Sequence, residues 1–414
     1  MAVVGGGVVG LACAWELTRG GADVDVLEAG EVGGGVSRGN TGWVCPTITS
    51  PLPAPGMVRE GLRQLVTRGD AFVLRPRLDP AFVRWLWSFR RSCAPGRYEA
   101  GVRALLALNR RTLELYDDYR EAGIPFEMHD TGLVVAAVTS TGLAAYRRLA
   151  GLLRDLGYDG GVEELDGAAP AELEPALDPA RVRWALHARV DRFVRPEDFT
   201  AGLAQTLRAR GVSIREHHPV EAVERQNGGW RLRSREEDTH ADAVVLAAGL
   251  GSAPLLRRFG VSMPLVGARG YSVTVAGRGT PPAHALYLAE AKLGLSAYAA
   301  GVRIAGVFEL GARDAVAPPR AGPRLLRAAR GYLAGWQPNG EEAPPVWAGL
   351  RPTTPDGLPL IGALPGAQRL YVAAGHAMLG VTLAPATAAA LAPLVLGDER
   401  LPELAPFDPG RRAP

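Results

Sequence analysis

Lysine is almost missing from this chain: Lys292 is the only one among 46 basic residues, so nearly all the positive charge is guanidinium. With abundant alanine, glycine and proline, the imbalance reads as a bias toward GC-rich codons, and it makes the surviving lysine a residue to follow. Cysteine is scarce too. Cys13, Cys45 and Cys93 are scattered and odd in number, which argues against a disulfide framework and for a reducing compartment. The seven histidines have no metal-ligand spacing with them, and His217-His218 reads as a loop pair before Pro219, so no metal is expected. No uninterrupted apolar run reaches the roughly 18 residues of a membrane span. No signal-peptide pattern precedes the first apolar strand, which starts almost at Met1. The expected location is therefore cytoplasmic. Net charge is only +3, and no basic run alternates with aromatics, so nucleic acid is not an implied partner.

What is present begins at the N-terminus. A short apolar strand runs straight into Gly5-x-Gly7-x-x-Gly10, a helical segment follows over 11–19, and a second strand over 22–27 ends on Glu28. Such a turn suits an ADP-containing dinucleotide. Gly5 lets the chain turn sharply, Gly7 admits a pyrophosphate to the backbone, and Gly10 lets the helix pack on the strand. The helix start offers unpaired N–H groups and partial positive charge to the phosphates. Glu28 stands where a carboxylate accepts from the adenosine ribose.

The 414 residues, 47% apolar and 21% charged, suit a globular chain of two domains. Helical periodicity covers 79–122, interrupted near Pro95, and 140–157, with a strand at 132–138 between them. A helix is expected over 198–210 and strands over 212–216, 220–226 and 229–234. The last two are joined by the hairpin signal Asn227-Gly228. A nearly continuous apolar strand at 241–248 reads as buried on both faces and ends at Gly249. Alternating strands fill 261–308, helix returns at 321–333, and a strand at 370–373 breaks at Gly375-His376 before a helix over 382–396. A nucleotide-binding fold in three separated segments, with a sheet-plus-helix domain inserted, accounts for this order.

Four motifs carry a resemblance to a known family: VVGGGVVGLACAWEL with Glu28; SRGNTGWVCP at 37–46; DAVVLAAGLGS at 242–252; and the pair WAGLRPTTPDGLPLIG at 347–362 and AAGHAMLGVTLAPAT at 373–387. Together they cover most of the chain. It resembles the FAD-dependent D-amino-acid oxidase superfamily, most closely bacterial D-amino-acid dehydrogenases and glycine oxidases. The implied fold is α/β: a Rossmann-like FAD-binding domain (1–60, 170–260 and 345–400) with an inserted α+β substrate domain of mixed sheet plus helices (61–169 and 261–344). The implied cofactor is FAD, held without a covalent bond. Cys45 is read as a buried structural cysteine, since the cysteine that carries flavin in some sarcosine oxidases lies on another segment.

The resemblance implies a flavin site made of Gly5, Gly6, Gly7, Val8, Val9 and Gly10; Glu28 and Ala29; Ser37, Arg38, Asn40, Thr41 and Gly42; Val220; Ala248 and Gly249; and Gly375, His376, Met378, Leu379, Gly380, Val381 and Thr382. The helix after Gly375 would aim its N-terminus at the isoalloxazine edge where negative charge develops on reduction. Arg351 matches the arginine that forms a bidentate pair with the substrate carboxylate. Two departures stand out. Met378 replaces a second arginine of the glycine oxidases, which suggests a more apolar pocket. The strand at 293–298 lacks the usual carboxylate-binding tyrosine, and Tyr271, Tyr298 or Lys292 is expected to substitute.

The implied activity is oxidative deamination of a D-amino acid by hydride transfer from Cα to flavin N5, giving a 2-oxo acid and ammonia. A secondary amine (sarcosine, proline, D-hydroxyproline) or glycine is the first alternative, and a non-catalytic flavin-binding subunit is one of another class. An NAD-dependent dehydrogenase leaves the C-terminal motifs unexplained. The electron acceptor, oxygen or quinone, stays open. Residues 82–91 (FVRWLWSFRR) combine aromatics with arginines and suit peripheral contact with the inner face of a membrane.

Overall fold

The computed structural model describes all residues except 60–71, 76, 78, 260–262, 340–344 and 412–414. Three of the expected domain boundaries, at 60/61, 260/261 and 344/345, fall on residues outside that set.

The fold is built on two sheets. The first has the strand order Ser213–Arg215, Asp25–Leu27, Ala2–Val4, Val244–Leu246, Leu370–Ala374, Leu360–Ala363. The first five are parallel and the last antiparallel. The central strands Ala2–Val4, Val244–Leu246 and Leu370–Ala374 are apolar and fully buried because both faces are covered. On one face lie the helices Val8–Arg19, Pro196–Ala209 and Gly380–Gly397, joined by Pro95–Asn109 and Thr112–Glu121, around a core that includes Leu11, Trp15, Phe199, Leu203 and Leu391. The other face is covered by the antiparallel ribbon Ala222–Gln226, Gly229–Arg233 and Thr239–Ala241, with Trp230 at its centre. The expected Asn227-Gly228 hairpin is present, with both turn residues at positive φ (50° and 81°).

Gly380–Gly397 is the only helix among the described residues long and apolar enough to cross a membrane. It is 72% buried inside the protein, as a central core helix is.

The second sheet has nine strands among the described residues. Its main path is Trp347–Thr353, Val266–Val275, Gly301–Leu310, Leu293–Tyr298, Ala285–Leu288, Leu133–Ala137, Trp184–Ala188, Val162–Asp166, with Phe72–Leu74 beside Gly301–Leu310. Strand alternation divides its residues. One face (Tyr271, Val273, Ile304, Leu286) packs under the helix Ala321–Arg330 through Leu325, Leu326 and Ala329. The other turns toward the nucleotide fold. The expected boundary at 169/170 is corrected here, because Trp184–Ala188 pairs with Leu133–Ala137 and the large sheet continues at least to Ala188. Its five residues have no alternating pattern, since four of them are buried.

Between the sheets lies a buried carboxyl. Asp191 is fully buried and accepts from the Thr47 hydroxyl and, at 3.4 Å, from the Thr47 N–H. Cys45 and Tyr158 are its titratable neighbours. Burial pushes its carboxyl up to about 7. A carboxyl raised in the fold binds a proton that the unfolded chain has already lost, so the contribution of Asp191 to stability is fully present below about pH 4 and is lost as pH rises through 7. Between pH 5 and 8 the native protein should lose about 2–3 kcal/mol from this group. The Asp191→Asn variant should lack that component, which denaturant titrations of both proteins at the two pH values will measure.

Candidate active site

The carboxyl ends of Ala2–Val4, Asp25–Leu27, Val244–Leu246 and Leu370–Ala374 share one edge of the first sheet, where ligands of open α/β sheets bind. At this edge Gly5 turns at φ 115° against Ala247. A Cβ on Gly10 would stand 1.9 Å from the Gly5 carbonyl oxygen, so strand and helix meet backbone to backbone. Glu28 accepts from the N–H groups of Gly6 (2.6 Å) and Gly30 (2.8 Å), which fixes its carboxylate at the mouth of the turn. The Glu28 carbonyl takes the His218 N–H at 2.8 Å and brings Val220 alongside. Ser37 folds back so that its hydroxyl accepts from Val8 N–H at 3.1 Å.

The loop of residues 37–43 is held by donors from the large sheet. Arg303, only 5% exposed, donates to the Asn40 carbonyl at 2.9 Å, to Glu197 at 2.7 and 3.1 Å, and to Thr274 at 3.1 Å. Burial alone would raise the Glu197 carboxyl, but the Arg303 guanidinium holds it below the usual range. Ser296 and Tyr298 both donate to the Thr41 carbonyl, at 2.8 and 2.5 Å. The Asn40 side chain accepts from Gly42 N–H at 2.7 Å, and Trp43 Nε1 donates to Ser296 at 3.0 Å. The Trp43 carbonyl takes the Thr382 hydroxyl at 2.7 Å, so the loop abuts the first turn of Gly380–Gly397.

That helix start is tied to Arg351 through its neighbours. The Ala377 N–H donates to the Pro352 carbonyl at 3.0 Å, and Thr353 and His376 form an antiparallel bridge. Behind Pro352 stands Gly249, whose Cβ position is 3.9 Å from the proline ring. The expected glycine turn, Ala248–Gly249 and Gly375–Thr382 thus form one continuous rim. His376 is buried, bonded to Thr387 at 3.0 Å, and burial pushes its imidazole down to about 3; it is neutral at working pH.

Arg351 lies on the large sheet's inward face. Its Nη1 donates to the Val307 carbonyl at 2.9 Å, and its guanidinium is 5.8 Å from the Phe308 ring. Among the described residues no carboxylate lies within ion-pair distance of it. Burial lowers it to about 10, which leaves it charged at neutral pH. The next strand but one from Arg351 carries Val307, and beside that strand is Gly294, on which the Trp43 ring and Thr41 rest. The arginine and the loop therefore share one face of the sheet, with the loop about one strand spacing, roughly 5 Å, beyond Val307.

Four expected residues are placed elsewhere. Tyr271 is on the opposite face from Arg351, under the helix Ala321–Arg330, because an odd-numbered neighbour of Gly270 must point the other way. Tyr298 is spent on the Thr41 carbonyl of the loop and the Val194 carbonyl of the strand Arg192–Val194. Lys292 is exposed in a tight turn, at φ 54°, with its ammonium 5.7 Å from the Tyr146 ring. Arg38 is exposed, 3.9 Å from Glu31. Met378 is 46% exposed on the rim. Sequence reasoning missed Arg303, Glu197 and Ser296. A charged residue inside the apolar strand GVRIAGVF was the available signal for Arg303.

Comparison with known proteins agrees with this geometry. The family described as "DAO: FAD dependent oxidoreductase" matches residues 1–394. The chain is 31% identical to a D-amino acid dehydrogenase of Cereibacter sphaeroides, over 99% of this chain and 96% of that protein. It is 32% identical to a D-amino acid dehydrogenase of Methylobacterium nodulans, over 98% and 97%. Among solved structures, glycine oxidase from Geobacillus kaustophilus superposes with TM-score 0.77 at 24% identity, covering 99% of this chain and 98% of that one. L-proline dehydrogenase from P. horikoshii superposes with TM-score 0.72 at 19% identity, covering 99% and 96%. A Rossmann turn, a glycine-rich loop clamped to a second sheet and a core helix opening beside them, matched nearly end to end, place the chain in the DAO family of FAD-dependent oxidoreductases.

Proposed function

We propose that this flavoenzyme oxidises a D-amino acid, and that Arg351 anchors the substrate carboxylate. The observation that carries the reading is an arginine without a carboxylate partner among the described residues, on the sheet face that also bears the 37–43 loop. Arg351 is half-buried, and withdrawing part of a guanidinium from water without a counter-ion costs free energy that an arriving anion offsets. A substrate carboxylate satisfies it with two parallel N–H donors and holds the amino acid in one orientation.

Bound FAD would supply the acceptor for the hydride removed from the substrate Cα. The residues that would hold it are Gly5 to Gly10 at the pyrophosphate, Glu28 at the ribose and Val220 beside the adenine. Ser37, Asn40, Thr41, Gly42, Ala248 and Gly249 would line the remainder. The helix N-terminus at Gly380, Val381 and Thr382 supplies N–H groups and partial positive charge where negative charge gathers. His376 stays neutral and moves no proton. Cys45 is buried, and burial keeps its thiol well above the usual range, which disfavours it as a point of covalent attachment for the flavin.

A second feature bears on the electron acceptor. The helix Pro80–Ser92 buries Phe82, Trp85 and Phe89 but leaves Val83 and Trp87 more than half exposed. From Pro80 to Tyr98 the chain has four arginines and no acid. Trp87, Arg90, Arg91 and Arg97 line a groove of about 820 Å³. An apolar ridge among arginines suits an anionic lipid surface, and it favours a lipid-dissolved quinone as the acceptor over oxygen.

The Arg351→Ala variant should retain its yellow flavin but lose about 2–5 kcal/mol of transition-state binding, a fall in kcat/KM of roughly thirty- to several-thousand-fold. Anaerobic spectra taken with D-amino acids, L-amino acids, sarcosine and proline in turn test the substrate class. Bleaching by D-amino acids alone supports the reading; bleaching only by secondary amines transfers it to that class, and no bleaching by any amine points to a non-catalytic subunit.

Membrane contact has its own check. The native protein should sediment with vesicles containing phosphatidylglycerol and be released by salt, and Trp87→Ser should weaken binding severalfold. Reduced flavin that reoxidises faster in air than with a soluble quinone would exclude the quinone reading.

A further inference from the structure

We infer that Gly270 and the Val307 carbonyl together position the Arg351 guanidinium, so that these two residues, neither of which would touch substrate, fix where a carboxylate is bound. The inference rests on the reading of Arg351 given above.

Gly270 lies inside the strand Val266–Val275, opposite Gly349 and diagonal to Arg351, which is itself opposite Ala268. Its backbone has no left-handed φ, so conformation does not call for glycine here. Space does. A Cβ at this position would stand 2.2 Å from each of Cζ, Nη1 and Nη2 of Arg351. Equal distances to three atoms of one planar group mean that the guanidinium lies flat on the bare Gly270 backbone. No rotation about its own plane would clear a methyl group; the whole side chain would have to lift off the sheet.

The far end of the guanidinium is set by a bulge. Arg269 pairs with Glu309 and Tyr271 with Gly306, so Val307 and Phe308 together face Gly270. Val307 has φ 64°, a left-handed conformation unusual for a β-branched residue, and its carbonyl is the acceptor for Nη1 at 2.9 Å. This is the one hydrogen bond between Arg351 and the described residues. The arginine is therefore located from beneath by a missing side chain and from one end by an out-turned carbonyl, with its other donors left to a ligand.

The test is a double-mutant cycle on the FAD-loaded enzyme. Gly270→Ala should lower kcat/KM for a D-amino acid at least tenfold. It should weaken inhibition by propionate, a bare carboxylate, by a similar factor, and leave turnover of the corresponding amino-acid amide within twofold. In an Arg351→Ala background the same Gly270→Ala change should have less than a twofold effect, because the group it displaces is gone. Melting temperature provides a second readout: if Gly270→Ala unfolds or loses FAD, adding Arg351→Ala should restore much of the loss. Equal effects of Gly270→Ala with and without Arg351, in activity or melting, would overturn the inference. Should Arg351→Ala alone leave propionate binding unchanged, it is the carboxylate-anchor reading that fails.

Discussion

The two sheets of this protein meet on one buried cation. Arg303 extends from the large sheet, and its charge is met by Glu197 at the start of the helix Pro196–Ala209 in the nucleotide fold. Its remaining donors go to Thr274 on the neighbouring strand and to the Asn40 carbonyl of the loop between them. A guanidinium removed from water is tolerated only when every such demand is met, and deleting one partner of a buried pair costs about 3–5 kcal/mol. The pair therefore matters less as net stability than as registration. It lets only one placement of the loop satisfy all partners, and Ser296 and Tyr298 repeat the arrangement one residue on, at Thr41. The sheet supplies donors and the loop supplies carbonyls, so the loop is read as a rigid part of the sheet's inner face.

A second seam runs on the other side of the site, through the main chain. The Ala377 N–H on the Pro352 carbonyl and the Thr353–His376 bridge join the strand that carries Arg351 to the turn that opens Gly380–Gly397. The Thr382 hydroxyl then closes the circuit onto the Trp43 carbonyl. The strand of Arg351, the helix N-terminus and the loop are thus related largely by backbone geometry rather than by long flexible side chains. Such a site can hold a reacting carbon over an acceptor atom within the few tenths of an ångström that hydride transfer demands.

Most of the nucleotide fold was legible in the sequence, and the reason is local. The turn Gly5–Gly10, the acid at Glu28 and the Asn227-Gly228 hairpin are each dictated within a few residues, by sterics that a sequence displays directly. The helix Gly380–Gly397 was legible as well, beginning two residues earlier than its periodicity suggests because the turn at Ala377 feeds straight into it. What was not legible depends on which face of the large sheet a residue occupies. Tyr271 and Gly270 are adjacent in sequence and opposite in space, and the register with Trp347–Thr353, which sets Ala268 opposite Arg351, decides which of them meets it. Trp184–Ala188 shows no alternation because four of its five residues are buried, and its place beside Leu133–Ala137 follows only from the pairing. Lys292, conspicuous by composition, occupies an exposed turn with its ammonium 5.7 Å from the Tyr146 ring.

The local rules that the chain breaks are informative in the same way. Val307 and Ala377 are both non-glycine residues at positive φ, at 64° and 48°. Each such residue costs on the order of 1–3 kcal/mol and persists only where surrounding structure over-determines it. They are far apart in sequence and on different elements, yet they converge on one dipeptide. The Val307 carbonyl accepts from Arg351, and the Ala377 N–H donates to Pro352. Gly270, a glycine where strand propensity favours almost any other residue, lies under the same arginine. Three departures from local preference around one dipeptide, two of them at the guanidinium itself, are not what selection for stability alone would leave. With Arg351 as the proposed carboxylate anchor, they are what is expected when the direction of its guanidinium outweighs the local preferences of the strand and bulge that hold it.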